Sequence, residues 1–440
     1  MGYRNKLHAI PKASVKHLGC RLNQYEALAM EGKLRQAGYQ IVPFGEPADL
    51  GIINTCTVTN EADAKSRNTI RRFIRSNPSA VVVVVGCYSQ VSANEVAAIK
   101  GVDYIIGNHD KLNFLDYLEA VKPESPVIVR ERISSQDFSI GFVGESGFDQ
   151  RANLKIQDGC DFSCSFCIIP QARGRARSRS WSDLLEEAKG MLQKGVREIV
   201  LTGVNLGTYL SEGHNFLNLI EGLSALRGLD RLRVSSIEPT TIPTELLAWM
   251  ADPSHPLMPY LHIPMQAGSD KILKLMRRRY SLEDMKGFFQ EAMNQIPDLC
   301  LGTDLMVGFP NETSDDFEKT CSTFMEFPFS YCHVFTYSER QGTAANRMDQ
   351  IPMQERRARS AHLRRLSASK RMSFHEGQMG REFRVLLENP KDDLQSGYTD
   401  HYLKVILKEK GSAMANKMAK VKITEALPEY VMGDLIEVES

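Results

Sequence analysis

The sequence predicts an α/β protein with three parts: an N-terminal doubly wound parallel sheet, a central partial (β/α)6 TIM-like barrel and a small C-terminal β-barrel. Short apolar runs alternate with helical patterns through residues 1–122, and strand candidates recur six times through residues 151–345. After residue 377 the pattern changes to short alternating strands. Alternation of strands and helices favours parallel sheets, whereas closely spaced short strands favour a barrel.

Composition excludes several classes of protein. The 440 residues include 54 basic and 54 acidic side chains, with 42% apolar residues, which is ordinary for a globular protein. Since the formal net charge is zero, a polyanionic partner must be held by local basic clusters. The longest apolar run, Ala80–Val85, is far too short to span a membrane, and the N-terminal stretch MGYRNKLHAIPKAS lacks the apolar core of a secretory signal. We therefore expect a cytoplasmic protein with no membrane partner.

The first part alternates strands and helices. The run at Val81–Val85 consists of valine alone and is bounded by Pro78 and Gly86, so it predicts a strand that is buried on both faces. The predicted strands are Ala13–Leu18, Ala48–Asn54, Val81–Val85 and Asp103–Ile106, and the predicted helices are Asn23–Ala37, Glu61–Arg75 and Asn94–Lys100.

A cysteine follows each of the first three strands. Cys20, Cys56 and Cys87 come after the first, second and third strand. Because ligands bind beyond the carboxyl ends of the strands in such sheets, we predict that these thiols converge on one point, the alternative being three independent buried thiols. Nine cysteines are an odd number, and a reducing compartment disfavours disulfides. Three others are expected to be small core residues: Cys300, Cys321 and Cys332.

The middle part predicts six strands with helices between them. Residues 123–150 lack a clear helical period and read as a linker that includes one extended piece. The strands are expected at Asn153–Gln157, Glu198–Thr202, Arg231–Ile237, Pro259–Ile263, Leu299–Val307 and Cys332–Tyr337. The predicted strand ends are unusually polar, and a barrel of this kind carries its functional residues on the loops that follow the strands.

The last part combines a basic helix with a β-domain. Residues 353–376 are rich in arginine and have one apolar side, which is typical of a basic amphipathic helix. Strands follow at Glu382–Leu387, Tyr398–Ile406, Ala419–Ile423 and Asp434–Val438. We expect RNA binding here, because cations bind phosphates and aromatic rings can stack on unpaired bases. The side chains considered for this role are Tyr398, His401, Tyr402 and Lys404.

The segment KIQDGCDFSCSFCIIP holds three more cysteines in a C-x3-C-x2-C spacing: Cys160, Cys164 and Cys167. Thiolates bind both zinc and iron–sulfur clusters, but no nearby cysteine or histidine supplies the fourth ligand that zinc needs. A four-iron cluster held by three cysteines leaves one iron open, which can chelate S-adenosylmethionine, pass it an electron and release a 5′-deoxyadenosyl radical. The motif therefore favours such a cluster over zinc.

Two features lie next to this motif. Phe166 precedes Cys167, and it suits either a place beside the adenine of S-adenosylmethionine or simple loop packing. The stretch ARGRARSR then supplies four arginines, which we interpret as ligands for phosphate or carboxylate near the mouth of the site, the alternative being a solvated basic segment. These are Arg173, Arg175, Arg177 and Arg179.

Taken together, the motifs resemble one family. The segments HLGCRLNQYE, NTCTVTNEAD, VVGCYSQ, LKIQDGCDFSCSFCIIPQARGRARSRS, EIVLTGVNLGTY, RLRVSSIEP, LHIPMQAGSD, DLMVGFPNET and HVFTYSERQGTAA occur in order across nearly the whole chain. The sequence is therefore similar to the radical S-adenosylmethionine methylthiotransferases, with a C-terminal domain that resembles a TRAM RNA-binding module. The NQYE, TVTN and KIQDGCD segments resemble the MtaB-type branch.

The resemblance implies an activity and its cofactors. These are two [4Fe–4S] clusters, one on each cysteine triad, and S-adenosylmethionine. The implied reaction adds a methylthio group to C2 of N6-threonylcarbamoyladenosine, 3′ of the anticodon in the tRNA anticodon stem-loop, with an electron donor such as flavodoxin or ferredoxin. The residues that we expect to line the S-adenosylmethionine pocket are Phe166, Thr202, Gly203, Ser236, Glu238 and Gln266.

The sequence also allows other functions, and it departs from the family pattern at two positions. The substrate could instead be isopentenyladenosine in tRNA or a ribosomal-protein aspartate, and from another class the chain could be a non-catalytic, zinc-stabilised RNA-binding protein. Asn311 stands where the family usually has glycine, and Met265-Gln266-Ala267-Gly268 replaces Leu-Gln-Ser-Gly. Asparagine tolerates left-handed backbone, so the turn at Asn311 is expected to survive.

The expected domains follow from these patterns. They are an N-terminal α/β domain at 1–122 with the auxiliary cluster, the linker at 123–150, a radical S-adenosylmethionine partial barrel with the basic helix at 151–375, and a TRAM-like β-barrel at 376–440.

Overall fold

The computed structural model describes residues 10–119, 121–140, 150–296, 298–408 and 414–439. Part of the linker expected at 123–150 lies outside these residues. The chain forms two compact units: the first consists of Met1–Gly147, Gln157–Asp183 and Ser338–Thr343, and the second of Phe148–Ile156, Leu184–Tyr337 and Ala344–Ser440. Both cysteine triads therefore belong to the first unit. Among the described helices, none is long and apolar enough to cross a membrane.

The N-terminal sheet has six parallel strands in the order β2-β1-β3-β4-β5-β6. Its strands are β1 Lys12–His17, β2 Gln40–Ile41, β3 Leu50–Thr55, β4 Val81–Gly86, β5 Tyr104–Ile106 and β6 Val127–Val129, and its helices are α1 Arg21–Gln36, α2 Asn60–Ser76, α3 Cys87–Val91 and α4 Ala93–Ala97. A 3-10 segment at Lys111–Tyr117 follows β5. The doubly wound parallel sheet is thus confirmed, and the extended piece expected in the linker pairs with β5 as its last strand.

β3 and β4 are buried along their whole length, because helices cover both faces of this sheet. On one face Ile53 and Val82 pack with Phe73 of α2. On the other face Ile52 and Val83 pack with residues of α1. Alternate side chains of one strand thus fill two separate cores, as the all-valine run predicts.

The helix expected at Asn94–Lys100 is present as α4, Ala93–Ala97, but the sequence did not predict α3, which begins at Cys87 directly after β4. Gly86 permits this sharp turn with a φ of 98°, and a Cβ at this position would lie 2.4 Å from the Asn54 side-chain oxygen. The turn places Cys87 at the edge of the sheet instead of within a longer loop.

The chain continues through a region that alternates between the two units. Its elements are β7 Arg151–Lys155, β8 Gln157–Asp158, α5 Ile169–Arg173, β9 Arg177–Ser178 and α6 Trp181–Gln193. Strands β8 and β9 pair antiparallel and close the loop that carries Cys160, Cys164 and Cys167. This loop is therefore held at both ends by its own backbone pairing.

The second unit contains a six-stranded partial barrel. The further elements are β10 Glu198–Thr202, β11 Leu210–Ser211, β12 His214–Asn215, α7 Phe216–Ser224, β13 Arg231–Val234, α8 Glu245–Ala251, β14 Tyr260–His262, α9 Asp270–Leu275, α10 Leu282–Gln295, β15 Cys300–Val307, α11 Ser314–Glu326 and β16 Tyr331–Thr336. Parallel sheets β13-β10-β7 and β14-β15-β16 meet at a bridge between Ser236 and His262. The predicted partial barrel is confirmed, with strand bounds within a few residues of expectation.

The C-terminal part is a long helix and a closed five-stranded barrel. The elements are α12 Met353–Glu376, β17 Glu382–Leu387, β18 Ser396–Thr399, β19 Lys404–Leu407, β20 Met418–Ala426 and β21 Val431–Val438. The single strand expected at Tyr398–Ile406 is wrong, because Tyr402 takes a left-handed φ of 62° and turns the chain between β18 and β19. Val385, Val405 and Val421 fill the barrel core.

Candidate functional site

Cys20, Cys56 and Cys87 lie at the carboxyl edge of the N-terminal sheet. Cys20 directly precedes α1, Cys56 follows β3, and Cys87 begins α3. Gly19 lies against Cys56, since a Cβ on Gly19 would come 2.6 Å from the Cys56 Cβ. Burial, followed by the proximity of Cys87 and then of Cys20, raises the pKa of Cys56 to about 12. Both other thiols of the triad thus act on the pKa of Cys56.

Asn23 ties two of the three cysteine loops together. Its Nδ2 donates to the Leu18 carbonyl at 2.6 Å and to the Thr55 carbonyl at 3.0 Å. Its Oδ1 lies 3.8 Å from the Cys20 Sγ. One buried amide therefore fixes the residues that precede Cys20 and Cys56.

Asn108 forms hydrogen bonds around the third cysteine, Cys87. Its Nδ2 donates to the Cys87 Sγ at 3.5 Å and to the Ala172 carbonyl at 2.5 Å. The Lys111 ammonium donates to the Asn108 Oδ1 at 2.6 Å and forms an ion pair with the buried Glu26 at 2.5 Å. Hydrogen bonds to the ligand sulfur are one of the ways in which a protein tunes a cluster.

Arg173 lies at the centre of this network. It is fully buried and pairs with Glu26 at 3.0 Å and Asp158 at 2.9 Å, and it donates to the Asn23 Oδ1 at 2.6 Å. Burial opposes its charge, but Asp158, Cys87, Glu26 and Cys20 together raise its pKa well above the ordinary value. A permanent cation beside the thiols favours their ionised form, which is the form that binds metal.

The structure corrects the interpretation of the arginine stretch that follows the motif. Arg173 is paired with carboxylates of the chain itself, and the buried Arg179 binds Asp183 at 2.6 Å and the Tyr25 hydroxyl at 3.1 Å. Arg175 is exposed and binds Asp161. Arg173 and Arg179 are therefore structural, because burial of a guanidinium requires an internal counter-charge.

The loop of Cys160, Cys164 and Cys167 is shaped by its backbone. The Cys160 amide donates to the Gly174 carbonyl, and the Cys167 amide donates to the Cys164 carbonyl, both at 3.1 Å. The Phe162 amide donates to the Cys160 Sγ at 3.4 Å. All three thiols are partly exposed on one short loop. Both triads therefore fit the three-thiolate ligand set of a cluster that keeps one iron free for another ligand.

The other predicted pocket residues follow barrel strands. Thr202 ends β10 and Gly203 follows it, while Ser236 and Glu238 follow β13. Glu238 forms an ion pair with Arg278, and burial is the main cause of its raised pKa. The roles of these residues remain predictions.

Two further predicted positions have unusual backbone. Gln266, after β14, has a left-handed φ of 67°, and its amide donates to the Asp304 carbonyl at 2.8 Å. Asn311 has a φ of 64°, so this asparagine preserves the turn at which the family usually has glycine. Phe166 lies in the cysteine loop of the first unit.

Sequence reasoning missed the polar residues around the first triad. Asn23, Glu26, Asn108 and Lys111 are buried, and so is Arg173. A signal was present, since Glu26 lies within the apolar run of α1, whose neighbouring residues are buried. A carboxylate at such a position requires a buried cation.

The C-terminal aromatic residues have partners within the second unit. Tyr398 and Tyr402 stack with ring centroids 4.8 Å apart, Arg151 lies 4.3 Å from the Tyr398 ring, and Arg233 lies 4.8 Å from the Tyr402 ring. Arg233 also donates to the Asp400 carbonyl at 2.9 Å. These two tyrosines anchor the small barrel on arginines of β7 and β13, and their stacking on RNA bases stays a prediction.

The basic helix also has fewer available cations than its sequence indicates. Arg356 is buried and donates to the Ile351 carbonyl, and the buried Arg359 pairs with Glu312 at 2.5 Å. Arg371 binds Glu429. Several of its arginines are thus committed to internal contacts.

A basic groove of about 880 Å³ instead runs along α2. It begins at Gly19, beside the first triad, and its lining includes four cations: Lys16, Lys65, Arg72 and Arg75. The lining also includes Glu61, but among the described residues none of these four cations forms an ion pair. Such a groove suits a polyanion.

Comparisons with known proteins agree with this geometry. A family described as "Uncharacterized protein family UPF0004" matches residues 12–107, and the "Radical SAM superfamily" matches residues 154–324. Among solved structures, the radical S-adenosylmethionine methyltransferase TsrM from Kitasatospora setae superposes with a TM-score of 0.56 at 14% identity, covering 88% of this chain and 81% of that chain. This likeness shows the fold.

Curated relatives extend over nearly the whole chain. The Bacillus subtilis threonylcarbamoyladenosine tRNA methylthiotransferase MtaB is 38% identical, covering 96% of this chain and 95% of the relative, and the Aquifex aeolicus MtaB is 35% identical, covering 94% and 100%. A tRNA-2-methylthio-N(6)-dimethylallyladenosine synthase from Cereibacter sphaeroides is 31% identical, covering 96% and 98%. The chain therefore belongs to the radical S-adenosylmethionine methylthiotransferase family and, within it, to the MtaB type, with S-adenosylmethionine and [4Fe–4S] clusters as its cofactors.

Proposed function

We propose that this enzyme adds a methylthio group to C2 of N6-threonylcarbamoyladenosine, 3′ of the anticodon in tRNA. The observation that carries this proposal is the 38% identity to an MtaB relative along 96% of the chain. The dimethylallyladenosine enzymes cover the chain equally well but are only 31% identical. The two substrates share the adenine ring and differ in the N6 substituent, so the choice between them depends on the pocket for that substituent.

The residues divide into the roles that the fold supports. We propose that Cys160, Cys164 and Cys167 hold the cluster that binds S-adenosylmethionine, with Phe166 near the adenine. When bound there, this cluster supplies one-electron reduction of the sulfonium. The remaining pocket residues would bind the polar groups of S-adenosylmethionine from the barrel strand ends: Thr202, Gly203, Ser236, Glu238 and Gln266.

The first triad has a separate role in the proposal. Cys20, Cys56 and Cys87 would hold the auxiliary cluster from which the thiomethyl group is delivered. Burial of two of the three thiols keeps water from this centre, and Arg173 offsets the negative charge of the bound thiolates. The functional modules that we propose keep the sequence-derived bounds of 1–122, 151–375 and 376–440.

The RNA requires a cationic surface, and the groove along α2 offers one beside the auxiliary centre. We propose that Lys65, Arg72 and Arg75 bind phosphates that flank the target nucleotide. The electron would come from flavodoxin, ferredoxin or a similar donor, and we propose that the enzyme acts on its tRNA in the cytoplasm.

The test of substrate choice uses anaerobically reconstituted enzyme. Anticodon stem-loops bearing threonylcarbamoyladenosine, dimethylallyladenosine or plain adenosine are incubated with reductant and S-adenosylmethionine, and their nucleosides are analysed by mass spectrometry. We expect the 2-methylthio product only from the first RNA. Preferential modification of the dimethylallyl RNA would overturn the assignment, and a colourless protein with stoichiometric zinc would favour an RNA-binding protein without catalysis.

The groove has its own test in the salt dependence of RNA binding. The Lys65→Ala/Arg75→Ala variant should lower the slope of log K against log salt by about 1.5, because each lost phosphate contact removes about 0.7–0.9. Lys286→Ala is the control, since Lys286 is exposed and already pairs with Glu326. Equal slopes for both variants would exclude the groove as an RNA surface.

A further inference from the structure

Three potential metal ligands meet on adjacent strands of the partial barrel. His262 ends β14, Asp304 lies within β15, and His333 lies within β16. One nitrogen of each histidine and one carboxylate oxygen lie within 4.8 Å of one another. Neither cysteine triad includes these residues, and the proposed reaction assigns them no role.

The distances suit a single small ion. The Nε2 of His262 lies 2.9 Å from the Asp304 Oδ1, and the Nδ1 of His333 lies 3.3 Å from the same oxygen. Ligand atoms around tetrahedral zinc, each about 2.0–2.2 Å from the metal, are roughly 3.3–3.6 Å apart. The two nitrogens lie within 4.8 Å of each other, so side-chain movements of about an ångström would place all three atoms around one ion.

The second nitrogen of His262 is also held. Its Nδ1 lies 3.4 Å from the Tyr331 hydroxyl, and that hydroxyl lies 2.8 Å from the Tyr260 hydroxyl. A metal-binding histidine usually donates its other N–H to a fixed acceptor, which orients the ring and leaves the first nitrogen free to bind metal. The tyrosine pair supplies such an acceptor.

The short contact between His262 and Asp304 requires either a proton or a metal ion between the two atoms. A histidine lone pair and a carboxylate oxygen repel each other at 2.9 Å unless a proton or a metal ion lies between them.

Access to the cluster comes from one side. His262 is buried, whereas the side chain of His333 is 59% exposed. An ion could therefore enter past His333 and keep a coordination position toward solvent or a bound molecule. A second group, His109, Asp110 and Glu131, meets the same distance limit but offers only one nitrogen ligand.

We propose that His262, Asp304 and His333 form a binding site for one divalent transition-metal ion. Two imidazoles and one carboxylate are a ligand set typical of zinc and of ferrous iron. The site is separate from the six thiols and retains an open position, and it does not depend on the identity of the RNA substrate.

Zinc is the probe for this site. Anaerobically reconstituted enzyme is treated with a chelating resin, given one equivalent of zinc chloride, passed through gel filtration and analysed for zinc and iron. We expect about one zinc per chain without loss of iron, with Zn–N and Zn–O distances near 2.0–2.1 Å in zinc K-edge X-ray absorption. His333→Ala and Asp304→Asn should lose this zinc and keep their iron.

The graded variant is Tyr331→Phe, which removes only the hydroxyl that orients His262. Its zinc affinity should fall 10- to 100-fold in competition with a chromophoric chelator, as is usual for loss of such a partner. His362→Ala, an exposed histidine on α12, is the matched control and should bind like the parent. Equal zinc binding by parent and His333→Ala, or zinc–sulfur distances near 2.3 Å, would overturn the proposal. Thermal unfolding of each variant separates lost binding from lost structure.

Discussion

The two cysteine triads of this enzyme are built in opposite ways. Cys160, Cys164 and Cys167 lie on one short loop and are all partly exposed. The other triad, Cys20, Cys56 and Cys87, comes from three strand ends that are far apart in sequence, and two of its thiols are buried. A loop can organise its ligands through its own backbone, whereas a dispersed triad exists only after the sheet has formed. A cluster bound by this triad would therefore be coupled to the folding of the whole first unit.

Removing one thiol from each triad should show most clearly how the functions of the two triads differ. Cys87→Ser and Cys164→Ser should each lower the iron content from about eight to about four per chain, because each loses one four-iron cluster. Both should abolish methylthio transfer. Only Cys164→Ser should also abolish reductive cleavage of S-adenosylmethionine. Iron analysis and chromatography of 5′-deoxyadenosine give the result.

Cys321→Ser is the control for this pair, because Cys321 lies on α11 and belongs to neither triad. It should retain the iron and both activities of the parent. If Cys87→Ser kept the full iron content, the thiols of the three strand ends could not be the ligands of a shared cluster.

Thiol reactivity of the metal-free protein should separate exposed from buried ligands. With a pKa of about 12, Cys56 has roughly 10⁻⁴ of its thiol ionised at pH 8, about 10³-fold less than a free thiol of pKa about 8.5. Its alkylation by iodoacetamide should be slow by a comparable factor and should rise about tenfold per pH unit up to pH 11. Peptide mass spectrometry measures this rate beside that of the exposed Cys20.

The raised pKa also predicts a direction for stability. Burial keeps Cys56 neutral in the folded chain, so the folded-state pKa lies above the unfolded value. The associated stabilisation is complete below about pH 8.5 and is lost as pH rises toward 12. Urea unfolding of metal-free protein should show a lower midpoint at pH 10 than at pH 7.5, and a Cys56→Ala variant should show less of this decline. Cys56 labelling as fast as Cys20 would contradict the burial.

The sequence predicts the positions of the thiols better than the environment that holds them. Convergence of Cys20, Cys56 and Cys87 follows from strand order, since parallel strands end at one edge. The network of Asn23, Asn108 and Lys111 depends on side-chain contacts that no periodicity encodes. The sequence alone therefore predicts the fold class and the candidate ligands but not the polar contacts around them.

The arginines show a similar limit. ARGRARSR reads as a surface for anions because arginine is usually exposed. Arg173 is instead buried, because Glu26, which is distant in sequence, and Asp158, which lies before the cysteine loop, balance its charge. In the same way, Tyr398 and Tyr402 suggest RNA stacking, but the sequence does not reveal the arginines that the structure places on their rings.

Replacing Arg173 tests how much its charge contributes to stability and to cluster binding. Arg173→Met should cost about 3–5 kcal/mol in the free energy of unfolding, because it leaves buried carboxylates without their cation. The effect should appear as a lower denaturation midpoint and as reduced iron in the first triad. Arg175→Met should leave both quantities unchanged, because the Arg175 guanidinium is exposed.

Those two variants sharpen the comparison between the triads. If the loop of Cys160, Cys164 and Cys167 is organised by its own backbone, Arg173→Met should still cleave S-adenosylmethionine at a measurable rate once refolded and reconstituted. Equal loss of both clusters would show that the loop depends on the same buried charges.

The smallest expected effect belongs to a single hydrogen bond. Asn108→Asp replaces the Nδ2 donor that faces the Cys87 Sγ and the Ala172 carbonyl with an acceptor, while Lys111 retains a partner. The lost bonds should cost about 1–3 kcal/mol of stability. Because the new group is anionic and no longer donates to the sulfur, the reduction potential of the auxiliary cluster should become more negative, as redox titration by electron paramagnetic resonance can show.

Asn94→Asp, on an exposed position of α4, controls for added charge. An unchanged reduction potential with lowered stability would mean that Asn108 stabilises this edge of the N-terminal sheet and does not affect the potential of the cluster.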